Sequence, residues 1–224
     1  MTENLKTIAI IGGTGKLGQG LAYQLARRGY PVVIGSREAA KAESSAQELS
    51  QRIGSAVAGK SNADAAAAAE IVILTVPWSN HQPTLEVIRD AVQGKIFVDT
   101  TVPLVPPKVA RVQLPEGGMA AEQAQAFLGE DVRVVSAFHN VAAAHLQHEE
   151  AHYDCDVLVC GNDKEARQQV IELGEAIGMK AWHAGPIQNT AVAESLTSVL
   201  IFINRHYKIR GAGIRITGEP GEAG

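Results

Sequence analysis

Short apolar runs recur along the chain, and most lead into a stretch whose apolar positions repeat with helical spacing. The runs "TIAII" (7–11), "YPVVIGS" (30–36), "IVILTV" (71–76), "KIFVDTTV" (95–102), "VRVVSAF" (132–138) and "DVLVCG" (156–161) are apolar nearly throughout rather than alternating. Strands covered on both faces read this way, which implies a parallel sheet between helical layers. Weaker strands are expected at 55–60 and 180–185. Helices are expected over 15–29, 37–54, 62–70, 80–94, 119–129 and 164–178, and a long apolar helix starts near Asn189. Gly29 sits in the usual place just past a helix end. Asn62 or Asp64 is the expected cap of the short helix.

The stretch 102–118 breaks the rhythm with its prolines and reads as a loop. The fold class that follows is α/β: a Rossmann-type, doubly wound, mostly parallel sheet with a small C-terminal lobe. Residues 1–184 form the dinucleotide-binding part and 185–224 the lobe, ending in a loose tail, "TGEPGEAG".

The first strand runs into "GGTGKLG", in which Gly13, Gly15 and Gly18 make G-x-G-x-x-G. The first glycine is expected to permit the turn, the second to let the backbone approach a pyrophosphate, and the third to let helix and strand pack closely. Thr14, Lys16 and Leu17 belong to the same loop. The helix start adds unpaired N–H groups and partial positive charge for phosphates.

An NAD site would carry an acid at the end of the second strand, roughly 20 residues on, to hold the ribose 2′-hydroxyl. Here that tip is Gly35, Ser36 and Arg37. A hydroxyl and a guanidinium suit a 2′-phosphate instead, so NADP is the expected dinucleotide. A merely solvated Arg37 is the alternative.

Ligands in such sheets lie beyond the carboxyl ends of the strands. Val76, Pro77 and Trp78 should therefore border the nicotinamide ribose, with His81 of the next helix among the candidate contacts. Trp78 either packs on the cofactor or is an ordinary rim aromatic. The helix over 189–206 has no lysine, and Glu194 is its one acid. Carbonyl reduction needs a placed proton donor. Leu196, Val199, Leu200 and Ile203 suit a flat aromatic hydride acceptor better, unless they form only a core or dimer stripe.

"GGTGKLGQGLA", "VVIGSRE", "ILTVPW", "VVSAFHNVAA", "VLVCGND", "AGPIQNTAVAESLT" and "GAGIRI" together resemble the NADPH-dependent reductases of the deazaflavin coenzyme F420, over nearly the whole chain. The resemblance implies reversible hydride transfer between NADP(H) and coenzyme F420 by a cytoplasmic homodimer. It places NADP over Thr14, Gly15, Lys16 and Leu17, with Ser36 and Arg37 at the 2′-phosphate. It implies that His139, Asn140 and Val141 wall the deazaflavin cleft, faced by Leu196 and Leu200 of the lobe. No nucleophile is implied, and His139 is the one candidate for proton transfer. Ala142 stands where members of that family often carry proline. A reductase of a flavin or of a small imine or carbonyl, and a non-catalytic NADP(H) sensor, are the alternatives.

The remaining composition narrows the classes. The formal net charge is −4 with no basic face, which argues against a nucleic-acid partner. No apolar run reaches the length of a membrane span, and "MTENLK" does not read as a signal peptide. Cys155 and Cys160 read as reduced thiols. His145, His148 and His152 would share a helix face, but a short polar connection is expected there and no metal site.

Overall fold

The computed structural model describes residues 5–148 and 153–218. Its core is an eight-stranded sheet in the order β3-β2-β1-β4-β5-β6-β7-β8. The strands are β1 (Ile8–Ile11), β2 (Val32–Ser36), β3 (Ala58–Ser61), β4 (Ile71–Leu74), β5 (Ile96–Asp99), β6 (Arg133–Ser136), β7 (Asp156–Gly161) and β8 (Lys180–His183). β1, β2, β4 and β5 are buried at every position, as their uninterrupted apolar runs predict. All pairings are parallel except β6 with β7.

The helices are α1 (Lys16–Ala26), α2 (Ala39–Ile53), α3 (Asn62–Ala67), α4 (His81–Ile88), α5 (Ala120–Leu128), α6 (Lys164–Ala176) and α7 (Thr190–Tyr207). Two apolar cores form, one on each face of the sheet. Ile8, Ile10, Leu21 and Leu25 lie in one; Ala9, Ile11, Val72, Leu74 and Leu85 lie in the other. No described helix is long and apolar enough to cross a membrane.

Strand order reverses between β1 and β4, and in doubly wound sheets a crevice opens at that point. The register puts Gly35, Ile11, Leu74, Asp99 and Ser136 in one row across the sheet. The exits of β1, β2 and β4 from this row form the crevice walls. β4 stops at Leu74 rather than Val76: Thr75 N–H still bonds Ile11 O, but Pro77 has no N–H to continue the ladder. β5 stops at Asp99 because its own carboxylate takes the Thr101 N–H.

Other expectations are corrected in detail. The cap of α3 is Ser61, whose hydroxyl accepts from Asp64 N–H, while Asn62 is buried with Oδ1 turned toward Gly12 N–H. α2 begins at Ala39, not Arg37, so Arg37 stays on the tip of β2. The stretch 102–118 has no regular structure, as expected. His145–Gln147 form a 3₁₀ turn, and His148 is already extended, so these two histidines share no continuous helix. His152 and most of the expected loose tail lie outside the described residues.

After α7, residues 211–216 return to the sheet. Asp156 N–H bonds Ile214 O, the Asp156 carboxylate accepts from Ile216 N–H and Trp182 Nε1, and Ala212 N–H bonds Asn204.

Candidate functional site

The glycine loop leaves β1 at Gly12 and enters α1 at Lys16. The left-handed turn falls at Gly12 (φ +72°), not at Gly13. Gly13 is required for a different reason: a Cβ there would stand 2.6 Å from Ile10 O. A Cβ on Gly18 would stand 2.6 Å from both Gly13 Cα and the Thr75 hydroxyl, so Gly18 does hold helix against strand. Gly15 differs from both. It is exposed, its backbone is ordinary extended chain (φ −78°, ψ 165°), and a Cβ would meet nothing nearer than Gly12 O at 3.4 Å. Nothing within the protein excludes a side chain there. The open face belongs to whatever docks on the loop, which fits a pyrophosphate on the N-terminus of α1.

Thr14 and Gly15 line a cavity of about 260 Å³ together with Ser36, Arg37, Lys41, Asn62, Val76 and Pro77. A second hollow of about 340 Å³ adjoins it, sharing Ser36, Arg37, Asn62, Asn80 and Thr84 and floored by Pro83 and Val87. The structure thus brings the glycine loop, the β2 tip and the β4 exit into one crevice. Ser36 is buried, and its Oγ accepts from Glu38 N–H, which leaves the hydroxyl proton available to donate. Glu38 is an acid at the rim, but Lys41 holds its carboxylate at 2.7 Å. The sequence did not single out Lys41, Asn80 or Thr84 as crevice residues, and pointed to Asn62 only as a helix cap. Lys41 carried one usable signal, a cation one helical turn beyond Arg37.

Lys16 is exposed and Leu17 half-buried against the core below β1. Trp78 is half-buried and stacks on His81, with ring centroids 5.3 Å apart. His81 itself is 1% exposed and lies 2.6 Å from Asp99. Burial pulls its pKa down, but the Asp99 carboxylate with its hydrogen bond, and Glu194 behind it, leave it above the usual 6.5.

The exit of β6 carries "AFHN". Phe138 is buried at φ 65°, a rare backbone state for a bulky residue, and it sets the direction of the loop. His139 follows, buried, with Nε2 unpartnered; Thr197 of α7 donates to its carbonyl. Burial lowers the His139 pKa to about 4 against the pull of Asp99, so the ring is neutral at pH 7. Asn140 is committed to the Asp156 carbonyl at 2.7 Å, and Val141 is buried. On α7, Leu200 is buried and Leu196 half-buried.

Glu194 is fully buried and caps the N-terminus of α5, accepting from Ala120 N–H, Ala121 N–H and the Thr190 hydroxyl. Burial, with the nearby Asp99, raises its pKa to about 7. Protons on this group stabilise the folded chain below its unfolded pKa, and that stability is lost as pH rises through about 7. Glu194 alone should make the unfolding free energy fall by roughly 3 kcal/mol between about pH 5 and pH 8. Glu194→Gln should lower stability near pH 5, through one mismatched cap bond, and flatten that fall, so that the deficit shrinks or reverses by pH 8. Urea melts across this range check it.

Among the described residues no group of His, Cys, Asp and Glu side chains is arranged to hold a metal.

The family described as NADP oxidoreductase, coenzyme F420-dependent, matches residues 7–103. The F420-dependent NADP reductase of Methanothermobacter thermautotrophicus is 42% identical, over 95% of both chains. That of Methanocaldococcus jannaschii is also 42% identical, over 94% of this chain and 97% of its own. The crystal structure of a candidate F420-dependent NADP-reductase from Arthrobacter superposes with a TM-score of 0.79 at 27% identity, covering 95% of this chain and all of that one.

Proposed function

Because the chain belongs to the family of F420-dependent NADP reductases, we propose that its crevice brings NADP(H) and the deazaflavin coenzyme F420 together for reversible hydride transfer. The observation that carries the site assignment is Gly15: a loop position with room for a side chain, kept bare at a helix N-terminus beside a phosphate-sized cationic tip.

In this reading Gly13 and Gly18 shape the loop, and Thr14 to Leu17 present backbone N–H groups to the pyrophosphate. Ser36 donates to the 2′-phosphate and Arg37 pairs with it. Val76, Pro77 and Trp78 border the nicotinamide ribose. His139, as a neutral ring, and Val141 wall the acceptor side, with Leu196 and Leu200 opposite. Asn140 and His81 support this wall from within. The dinucleotide supplies or accepts hydride at its nicotinamide ring. The chain's part is proximity, alignment and exclusion of water, which suffices where no oxygen must be protonated. Glu194 is engaged in capping α5 and His139 stays neutral, consistent with a reaction that needs neither as an acid.

We take residues 185–224 as a lobe that forms the cleft and the dimer contacts. Val192, Val199 and Phe202 stand exposed on α7 at helical spacing, an apolar face suited to a second copy. Cys155 and Cys160 are free and buried, in keeping with a reducing cytoplasm.

An acceptor panel tests the function. With NADPH as donor, oxidised coenzyme F420 should be bleached, while FMN and a cyclic imine should turn over at least roughly a hundredfold more slowly. Turnover with FMN or the imine but not the deazaflavin would replace the proposed acceptor.

A further inference from the structure

Asp99 ties together three successive chain exits, those of β4, β5 and β6, the first of which lines the crevice. Its Oδ2 lies 2.6 Å from His81 Nε2, which fixes the start of α4 just past the β4 exit. Its Oδ1 accepts from Thr101 N–H at 2.9 Å, which folds back the β5 exit. Its carbonyl accepts from Ala137 N–H, which holds the β6 exit just before His139. Asp99 is 0% and His81 1% exposed, so neither reaches solvent or a ligand in this arrangement. Half-buried Trp78 sits between Pro77 and Asn80, which line the crevice, and lies on the His81 ring at an interplanar angle of 28°.

A buried ion pair is a weak source of stability, because desolvation offsets the attraction. Its directional bonds can instead fix geometry.

We infer that Asp99 and His81 are a positioning pair, setting the Trp78 indole and the His139 loop so that nicotinamide and hydride acceptor meet in line. The inference rests on the crevice being the site of hydride transfer. Misalignment by a fraction of an ångström slows such a step without disturbing distant phosphate contacts. The charged groups facing His81 are Asp99 from β5 and Glu194 from α7; the His139 ring beside them is neutral at pH 7. Trp78 therefore lies on an imidazolium below the His81 pKa, and a protonated imidazole in contact quenches indole fluorescence.

The chain has two tryptophans, Trp78 and Trp182, so Trp182→Phe isolates the signal. Its fluorescence should rise about twofold with pH, with a midpoint above the ordinary histidine value of about 6.5. Adding Asp99→Asn should move that midpoint below 6.5 by removing the carboxylate. If Trp182→Phe does not fold, the difference between the parent and Trp78→Phe gives the same titration. In turnover, His81→Ala should lower kcat about tenfold with the KM for NADPH changed less than about threefold. His81→Gln, which keeps a donor toward Asp99, should recover most of the rate.

A Trp78 signal without pH dependence, a midpoint indifferent to Asp99→Asn, or a folded His81→Ala with parental kcat would each overturn the inference. The titration needs no acceptor. Failure of turnover with every acceptor would count against the function, while the fluorescence would still decide the pair.

Discussion

Arg37→Ala is expected to raise the KM for NADPH by roughly ten- to a hundredfold, the worth of one lost charge-assisted bond pair, while the KM for NADH changes by less than about twofold. The geometry makes this asymmetric. Arg37 lies before α2, exposed on the β2 tip, and lines both hollows of the crevice. Ser36 beside it has its acceptor role filled by Glu38 N–H and can donate outward. Glu38 would repel a second phosphate, but Lys41 already neutralises it at 2.7 Å. NADH carries no 2′-phosphate, so the cation has nothing to hold. Steady-state kinetics with both dinucleotides check the result. An equal loss for NADH would remove Arg37 from the 2′-phosphate.

Gly15→Val should weaken NADP binding by at least about a hundredfold and leave the melting temperature within about 2 °C of the parent. The added Cβ meets no protein atom nearer than Gly12 O at 3.4 Å, and the backbone angles suit valine. It occupies only the space above the loop. Gly18→Val should do the reverse in stability, because its Cβ would overlap Thr75 and Gly13 at 2.6 Å. Overpacking of that kind costs roughly 1–3 kcal/mol or more. Calorimetric titration with NADP and thermal melts of both variants separate the two roles. Retained binding in Gly15→Val would take the loop out of the site.

The parts legible in the sequence are those with local causes. Unbroken apolar runs marked strands buried on both faces, and β1, β2, β4 and β5 are so buried. The glycine loop and Arg37 are set by spacing along one βαβ unit. Even there, two adjacent glycines hid the distinction that the turn needs Gly12 and the packing needs Gly13. The rest depends on residues far apart in the chain. His81 and Asp99 are 18 positions apart, and Glu194 caps a helix 74 positions before it. Glu194 stood out as one acid on an apolar helix, but its partners are backbone N–H groups, which carry no sequence signature. Phe138 likewise gives no hint of its left-handed backbone, because the surrounding packing imposes it.

Hydride that passes directly between the two bound rings in this crevice never exchanges with water. Reduction of coenzyme F420 by NADPH carrying deuterium at both nicotinamide C4 positions, followed by mass analysis of the deazaflavin, tests that passage most directly. Every reduced deazaflavin should carry one deuterium, with none lost to water. Unlabelled product would contradict direct transfer, and no reduction at all, with NADP binding intact, would contradict the enzymatic role.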